Sequence, residues 1–272
     1  MYITNNVSLA SIADKAGVDF VWIDLERRDK EKRQKNMDTV KSHHKISDIA
    51  KIKKILTKSK LLVRINPWRG QMSKREIDKV IDAGADVIML PMWKRADTAI
   101  KFLNYINKRV ETILLLETIG AQKSLDKVLL NPLVNMIHIG LNDLSIEYNK
   151  QFMFQLLTDG TVDEICNKIK KTNIEFGFGG IARLKLGDVP AEYILKEHYA
   201  LGSTMAILSR SFCSVDSNFD YDDVNKIFVS EIRKIRKFEN RISEMTENNI
   251  KKNRKIIKRL ITKVVNEKCK RK

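Results

Sequence analysis

Eight short apolar or β-branched runs punctuate the first 210 residues, each followed by a charged stretch, most of them with helical periodicity. The runs are "MYIT" (1–4), "VDFVWIDL" (18–25), "LLVRIN" (61–66), "DVIMLP" (86–91), "TILLLE" (112–117), "NMIHIG" (135–140), "IEFGFGG" (174–180) and "STMAILS" (203–209). Intervening segments such as "SKREIDKVIDAGA" and "TVDEICNKIKKTN" carry apolar residues at i, i+3 and i+4 and often close on Gly or Asn, which suit a helix C-cap. Strands apolar enough to be covered on both faces, alternating eight times with helices, predict a (β/α)8 TIM barrel over residues 1–215. A doubly wound open sheet is the competing arrangement, disfavoured by strand count and length.

A chain of 272 residues suits one barrel-sized domain, alone or with an appendage. Residues 216–272 read as that appendage, a basic amphipathic helical extension. Residues 221–272 hold 17 Lys/Arg against 7 Asp/Glu, about +10 of the formal +17. Ile235, Phe238, Ile242 and Met245 keep a coiled-coil-like spacing there until Asn249 and Lys252 interrupt it. No aromatic interleaving supports nucleic-acid recognition, so packing on the barrel or a homo-oligomer is expected. Cys166, Cys213 and Cys269, an odd number with no paired spacing, read as ordinary thiols of a reducing compartment. The chain start has no basic segment leading into an apolar run, and no stretch reaches the roughly 18 apolar residues of a membrane helix. A soluble, cytoplasmic protein is the expectation.

In a barrel the chemistry sits at the C-terminal ends of the strands, so polar residues that close apolar runs are candidate site residues. Asp24 and Glu26 follow the second run, Arg64 closes the third, Glu117 ends the fifth, Asn142 and Asp143 follow the sixth, Arg183 the seventh, and Ser209 and Arg210 the eighth. Glu117 and Asp143, on neighbouring strand ends, would face each other as hard oxygen ligands for Mg²⁺ or Mn²⁺, with water and substrate filling the remaining positions. Alternatively, each carboxylate caps a following helix or pairs with a lysine. Arg64 would reach a developing oxyanion, or form a structural ion pair with Glu26 or Glu117. Arg183 and Arg210 suggest a substrate with a second anionic group, phosphate or carboxylate, unless they pair with rim acids. "GFGGIA" is similar to a dinucleotide-binding turn, but no amphipathic helix opens directly on it.

The strand-end motifs "VDFVWIDLE", "LLVRINP", "DAGADVIMLPM", "LLLET" and "IHIGLNDLS" resemble, in order, those of the HpcH/HpaI aldolase and citrate lyase β-subunit family. These are divalent-metal barrels that make or break a carbon–carbon bond next to a 2-oxoacid or acyl thioester. The resemblance implies that Glu117 and Asp143 are the metal ligands and that Arg64 holds the keto or enolate oxygen. Backbone N–H groups of Gly140, Leu141 and Asn142 would then meet the pyruvate carboxylate. A metal acting as a Lewis acid on the 2-oxo group, with Arg64 sharing the charge, makes an enolate of pyruvate accessible.

The sequence departs from the family at one place. In the aldolase branch a histidine directly follows the Asp-x-Glu of the second strand and serves as general base, whereas "IDLERR" has Arg27 there. "SHHKISDI" offers His43 and His44 on the long loop after that strand, and His44 is the candidate base, a solvated loop histidine being the alternative. His138, in mid-strand, reads as an interior packing residue. The expected function is a divalent-metal-dependent carbon–carbon lyase, an aldolase acting on a 2-oxoacid through a pyruvate enolate. One alternative keeps the metal and changes the electrophile to an acyl-CoA thioester; another is a barrel that has lost catalysis and serves as a binding or scaffold protein.

Overall fold

The computed structural model describes residues 1–27, 43–209, 212 and 220–270. All eight apolar runs are strands: β1 (Tyr2–Ile3), β2 (Phe20–Asp24), β3 (Lys60–Arg64), β4 (Val87–Leu90), β5 (Glu111–Leu116), β6 (Met136–Ile139), β7 (Glu175–Ile181) and β8 (Met205–Leu208). They pair in parallel in the order β1 to β8. The Leu208 N–H donates to the Met1 carbonyl (2.8 Å), which returns the last strand to the first. The helices are α1 (Val7–Ala16), α2 (Ile46–Lys53), α3 (Gln71–Asp82), α4 (Ala96–Ile106), α5 (Ile119–Leu129), α6 (Leu141–Glu147), α7 (Thr161–Ile169), α8 (Ala191–Leu201), α9 (Tyr221–Ile242) and α10 (Glu247–Lys270). This is the (β/α)8 barrel that the alternation predicts.

Because side chains alternate across a strand, each run feeds two cores. Trp22, Leu62, Val87, Met89, Ile113, Leu115 and Met136 form the cluster inside the ring. Val21, Ile23, Leu61, Val63, Ile88, Leu90, Leu114 and Leu116 join the larger cluster beneath the helices. His138 takes an inward place beside Leu115 and Gly177, fully buried, where burial first and the nearby chain-start amine second lower its pKa to about 3. The glycines of "GFGGIA" lie along β7, around an irregularity in its pairing with β8, and form no dinucleotide turn. At Gly177 a Cβ would stand 2.0 Å from the Met205 carbonyl oxygen, so the close approach of β8 requires glycine.

The expected boundary at residue 215 does not hold. A barrel strand needs a helix to cover its outer face, and α9 is the helix that follows β8. It packs along α1 and α8, and its Val224, Phe228, Ile232, Ile235 and Ile242 belong to the same core as the strands. The coiled-coil-like spacing in this segment is therefore barrel packing. The 24-residue α10 lies on α8, held by Arg254, which bonds both Glu197 (2.8 Å) and Asp163 (2.8 Å). The basic character survives only on outer faces, where Lys251, Lys252, Lys255 and Lys258 are exposed.

Phe228 tests this assignment, being fully buried and set edge-on to Tyr2 (4.8 Å) and Phe212 (5.2 Å). Phe228→Ala is expected to destabilise the whole barrel by about 3–5 kcal/mol in urea unfolding, in a single transition. A detached tail would leave the barrel's midpoint unchanged.

Candidate active site at the barrel mouth

The inward rows of the barrel are apolar until their last step. Two residues beyond Trp22 comes Asp24, two beyond Leu62 comes Arg64, and two beyond Leu115 comes Glu117. The same alternation that fills the interior thus lifts a carboxylate, a guanidinium and a second carboxylate to the mouth. All three are buried.

Arg64 is the best anchored of them. Asp24 and Arg64 are register partners across β2 and β3. Arg64 Nε donates to Asp24 Oδ1 (2.9 Å) and Nη2 to Oδ2 (2.8 Å), a two-pronged pair. Nη1 stands 3.3 Å from Glu26 Oε2, and the guanidinium lies over the Trp22 ring at 5.0 Å. Burial alone would lower the arginine's pKa, but Asp24 and Glu26, with Glu117 behind them, more than offset that and raise it. The structural ion pair weighed for Arg64 is present, with Glu26 and above all with Asp24. It leaves Nη1 with N–H capacity for a further acceptor.

Glu117 is held differently. Its Oε1 accepts the Met92 N–H (2.9 Å), and Met92 adopts a positive φ of 53°, a left-handed conformation that costs a non-glycine residue about 1–3 kcal/mol. Glu117 has no ion-pair partner among the described residues. Burial, then Asp143, then Glu26 push its pKa up to about 8, against the pull of Arg64 and the Met92 N–H. Asp143, half-buried in the first turn of α6, is thus an electrostatic neighbour of Glu117, as the spacing predicts. Gly140 permits the arrangement: a Cβ there would meet Glu117 Cβ at 2.7 Å and Oε2 at 3.1 Å.

The expectation of three backbone donors in the Gly140 turn needs correcting. The Gly140 N–H is already given to the Leu116 carbonyl (2.9 Å), as the last rung between β5 and β6. Only Leu141 and Asn142, at the start of the uncapped α6, remain as candidates from that turn. His44 also differs from its expected role. It is buried, and its Nδ1 accepts the backbone N–H of Asp24 (3.0 Å). A backbone N–H can only donate, so the neutral ring carries its proton on Nε2 and has no free lone pair with which to act as a base. Arg27, which occupies the position of the missing histidine, is exposed; its Nη2 donates to the His44 carbonyl (2.8 Å) and its N–H to Asn66 Oδ1 (3.2 Å).

Arg183 stands just past β7, half-buried, with an Nε that is buried without a hydrogen-bond partner. Among the described residues it pairs with no rim acid. Arg210 and Cys213 lie outside the described residues. Trp22 beneath Arg64 and the backbone of Met92 carry no motif of their own in the sequence; a polar strand end above an aromatic inward residue is the only signal that could have found the first. A cavity of about 760 Å³ opens at the opposite end of the barrel, among the strand starts, where Asp86 and Glu111 are engaged by Lys53 (2.6 Å) and Lys60 (2.6 Å). The mouth, not that cavity, gathers the reactive groups.

A family model described as HpcH/HpaI aldolase/citrate lyase matches residues 2–152. Solved structures share the fold at low identity. An HpcH/HpaI aldolase/citrate lyase family protein from Burkholderia cenocepacia is 14% identical with a TM-score of 0.61, over 87% of this chain and 93% of that one. An HpcH/HpaI aldolase from Desulfitobacterium hafniense is 14% identical with a TM-score of 0.57, over 90% and 93%. The citrate lyase beta subunit from M. tuberculosis, in complex with oxaloacetate and magnesium, is 14% identical with a TM-score of 0.59, over 84% and 95%. A search of the curated proteins gives no match. Since the model spans more than half of a barrel whose strand ends stand as described above, the chain belongs to the HpcH/HpaI aldolase/citrate lyase family.

Proposed function

We propose that this protein is a divalent-metal-dependent carbon–carbon lyase that acts on a 2-oxoacid through an enolate-type intermediate. The observation that carries the reading is the buried Glu117, unpaired with any cation among the described residues, beside Asp143 and within the field of Arg64. Two carboxylates that repel each other, one of them fully desolvated, are the donor set a hard divalent cation relieves. Among the described residues no three His, Cys, Asp or Glu side chains form a complete ligand group, so water and substrate would supply the other positions.

Mg²⁺ or Mn²⁺ held by Glu117 and Asp143 would supply Lewis acidity toward the 2-oxo group. The chain's own residues do the rest. Arg64, its planar fork fixed by Asp24, directs Nη1 N–H groups toward the oxygen on which negative charge develops. The N–H groups of Leu141 and Asn142, which meet no acceptor among the described residues, suit the substrate carboxylate, and the Arg183 guanidinium suits a second anionic group. His44 acts here as an Nε2–H donor that also pins the end of β2. The structure with oxaloacetate and magnesium belongs to a protein of this fold, which supports a 2-oxoacid and a divalent cation for this chain too.

Arg27 in the histidine position favours a second reading, an acyl-CoA lyase of the citrate lyase β-subunit type. Exchange of pyruvate methyl protons with solvent, followed by NMR with Mg²⁺ or Mn²⁺, tests the proposal. Exchange supports the 2-oxoacid reading. Metal binding without exchange of any 2-oxoacid would point to a barrel that only binds. Among the described residues no helix is long and apolar enough to cross a membrane, which fits the proposed cytoplasmic enzyme. Sedimentation as a 31.5 kDa monomer would count against the expected homo-oligomer.

Removing a hard anionic oxygen removes direct attraction for the cation. Glu117→Gln and Asp143→Asn are each expected to weaken Mn²⁺ binding at least about tenfold by calorimetry, and unchanged affinity in both would refute the ligand assignment. Arg64→Lys keeps the charge and loses the fork. A loss of roughly 10²-fold in exchange, with Mn²⁺ affinity little changed, is expected; full activity would remove Arg64 from the mechanism.

The raised pKa of Glu117 has its own consequence for the metal-free protein. With a folded pKa of about 8 against the ordinary 4.5, the folded state holds the proton more tightly than the unfolded state does. That contribution to stability is complete below the unfolded value and is lost as pH rises through the folded one. Metal-free Glu117→Gln should therefore gain in Tm relative to wild type as pH climbs from about 5 to about 9, and Mn²⁺ should raise the wild-type Tm at the upper end. Parallel pH profiles for the two chains would show that Glu117 is not under this repulsion.

A further inference from the structure

Only one face of α10 is used in packing. Asn253, Ile257 and Ile261 are buried, the Asn253 amide donates to the Tyr193 carbonyl (3.1 Å), and Arg254 is engaged with Glu197 and Asp163. The opposite face presents Lys251, Lys252, Lys255, Lys258 and Arg259, all exposed, and none of the five makes an ion pair among the described residues. We propose that this face binds the phosphate backbone of a nucleic-acid duplex without reading its sequence. The inference goes beyond the lyase reading and does not depend on it.

Charge density favours that partner. At a rise of about 1.5 Å per residue the five cations span about 12 Å of helix, roughly one charge every 2–3 Å. A duplex presents one negative charge about every 1.7 Å of its axis, and each cation that meets a phosphate releases condensed counterions. No acid offsets the stripe. The acidic residues of α10 itself, Glu247 and Glu267, lie outside the stretch 251–259, and Glu267 stands 3.9 Å from Lys263. Glu197 of α8 and Asp163 of α7, which do face α10, are both engaged by Arg254.

Other anionic surfaces fit this face less well. A helix that lies on an anionic bilayer combines its cations with aromatic or aliphatic side chains that enter the headgroup layer. In α10 the apolar residues Ile257, Leu260, Ile261, Val264 and Val265 all pack into the barrel's core cluster. Among the described residues no exposed large apolar side chain lies on this helix. It also has no aromatic residue on which an unpaired base could stack, which favours a duplex over a single strand. Lysine ammonium groups on flexible stems meet phosphates as point charges. Contacts of that kind position a duplex and carry no base information, so the binding is independent of sequence.

The test uses the full chain and a mixed-sequence DNA duplex of about 20 base pairs, followed by fluorescence anisotropy across a salt series. For the wild-type chain the logarithm of the binding constant should fall against the logarithm of salt with a slope of about −4, a loss on the order of 10²-fold between about 50 and about 200 mM. The triple variant Lys252→Gln, Lys255→Gln, Arg259→Gln should bind at least about tenfold more weakly at the lower salt, with the slope reduced by about 2–3, because each phosphate contact contributes about 0.9. Arg75→Gln, Lys101→Gln, Lys123→Gln removes the same charge from exposed positions on α3, α4 and α5. That variant should bind within about threefold of wild type, since distant exposed charges are screened. Both variants are expected to unfold at the wild-type midpoint, every altered side chain being exposed. Three outcomes overturn the proposal. The wild-type chain could fail to bind the duplex at the lower salt. Both variants could lose affinity equally, which would make the net charge of the whole chain the cause. Or the wild-type chain could bind vesicles containing anionic phospholipid and not the duplex, which would make the face a membrane-docking surface.

Discussion

Side-chain alternation in a closed ring of parallel strands is the constraint on which this molecule depends. Once Trp22, Leu62 and Leu115 face inward, the residues two places on must also face inward, and there they stand above the hydrophobic core at the mouth of the ring. Asp24, Arg64 and Glu117 have no freedom in this respect. A slip of one residue in β5 would turn Glu117 into the helix layer, where no partner awaits it, and would send Leu114 and Leu116 into the barrel. The apolar interior and the polar mouth are two ends of one set of rows.

At the mouth four carboxylates, those of Asp24, Glu26, Glu117 and Asp143, gather near the Arg64 guanidinium. Asp24 and Glu26 pair with Arg64 at short range, and Asp143 and Glu26 act repulsively on Glu117. Burial strengthens every term, since charges removed from water interact in a lower dielectric. Met92, in a left-handed conformation beside Glu117, stores strain as well.

The C-terminal third shows how charge can mislead about architecture. Residues from 221 onward are lysine-rich, which suggests a separate tail, yet Phe228, Ile232 and Ile235 close the barrel between α1 and α8. Charge marks only the outer face of an amphipathic helix and says nothing of what its inner face covers.

The sequence by itself determined the eight strands, their alternation with helices and the residues at their ends, because apolar periodicity and the position of a polar residue after an apolar run are local properties. Glu117, Asp143 and Arg64 were legible for the same reason. Tertiary structure alone decided what those residues touch. The two-pronged Asp24–Arg64 pair joins residues 40 apart in sequence, and the His44 ring is turned into a donor by a backbone N–H from a strand 20 residues earlier. The commitment of the Gly140 N–H to Leu116 and the left-handed Met92 beneath Glu117 are likewise products of register between strands. Hydrogen bonds between segments distant in sequence leave no periodic trace along the chain, so the partners, and with them the chemistry each side chain can perform, appear only when the ring closes.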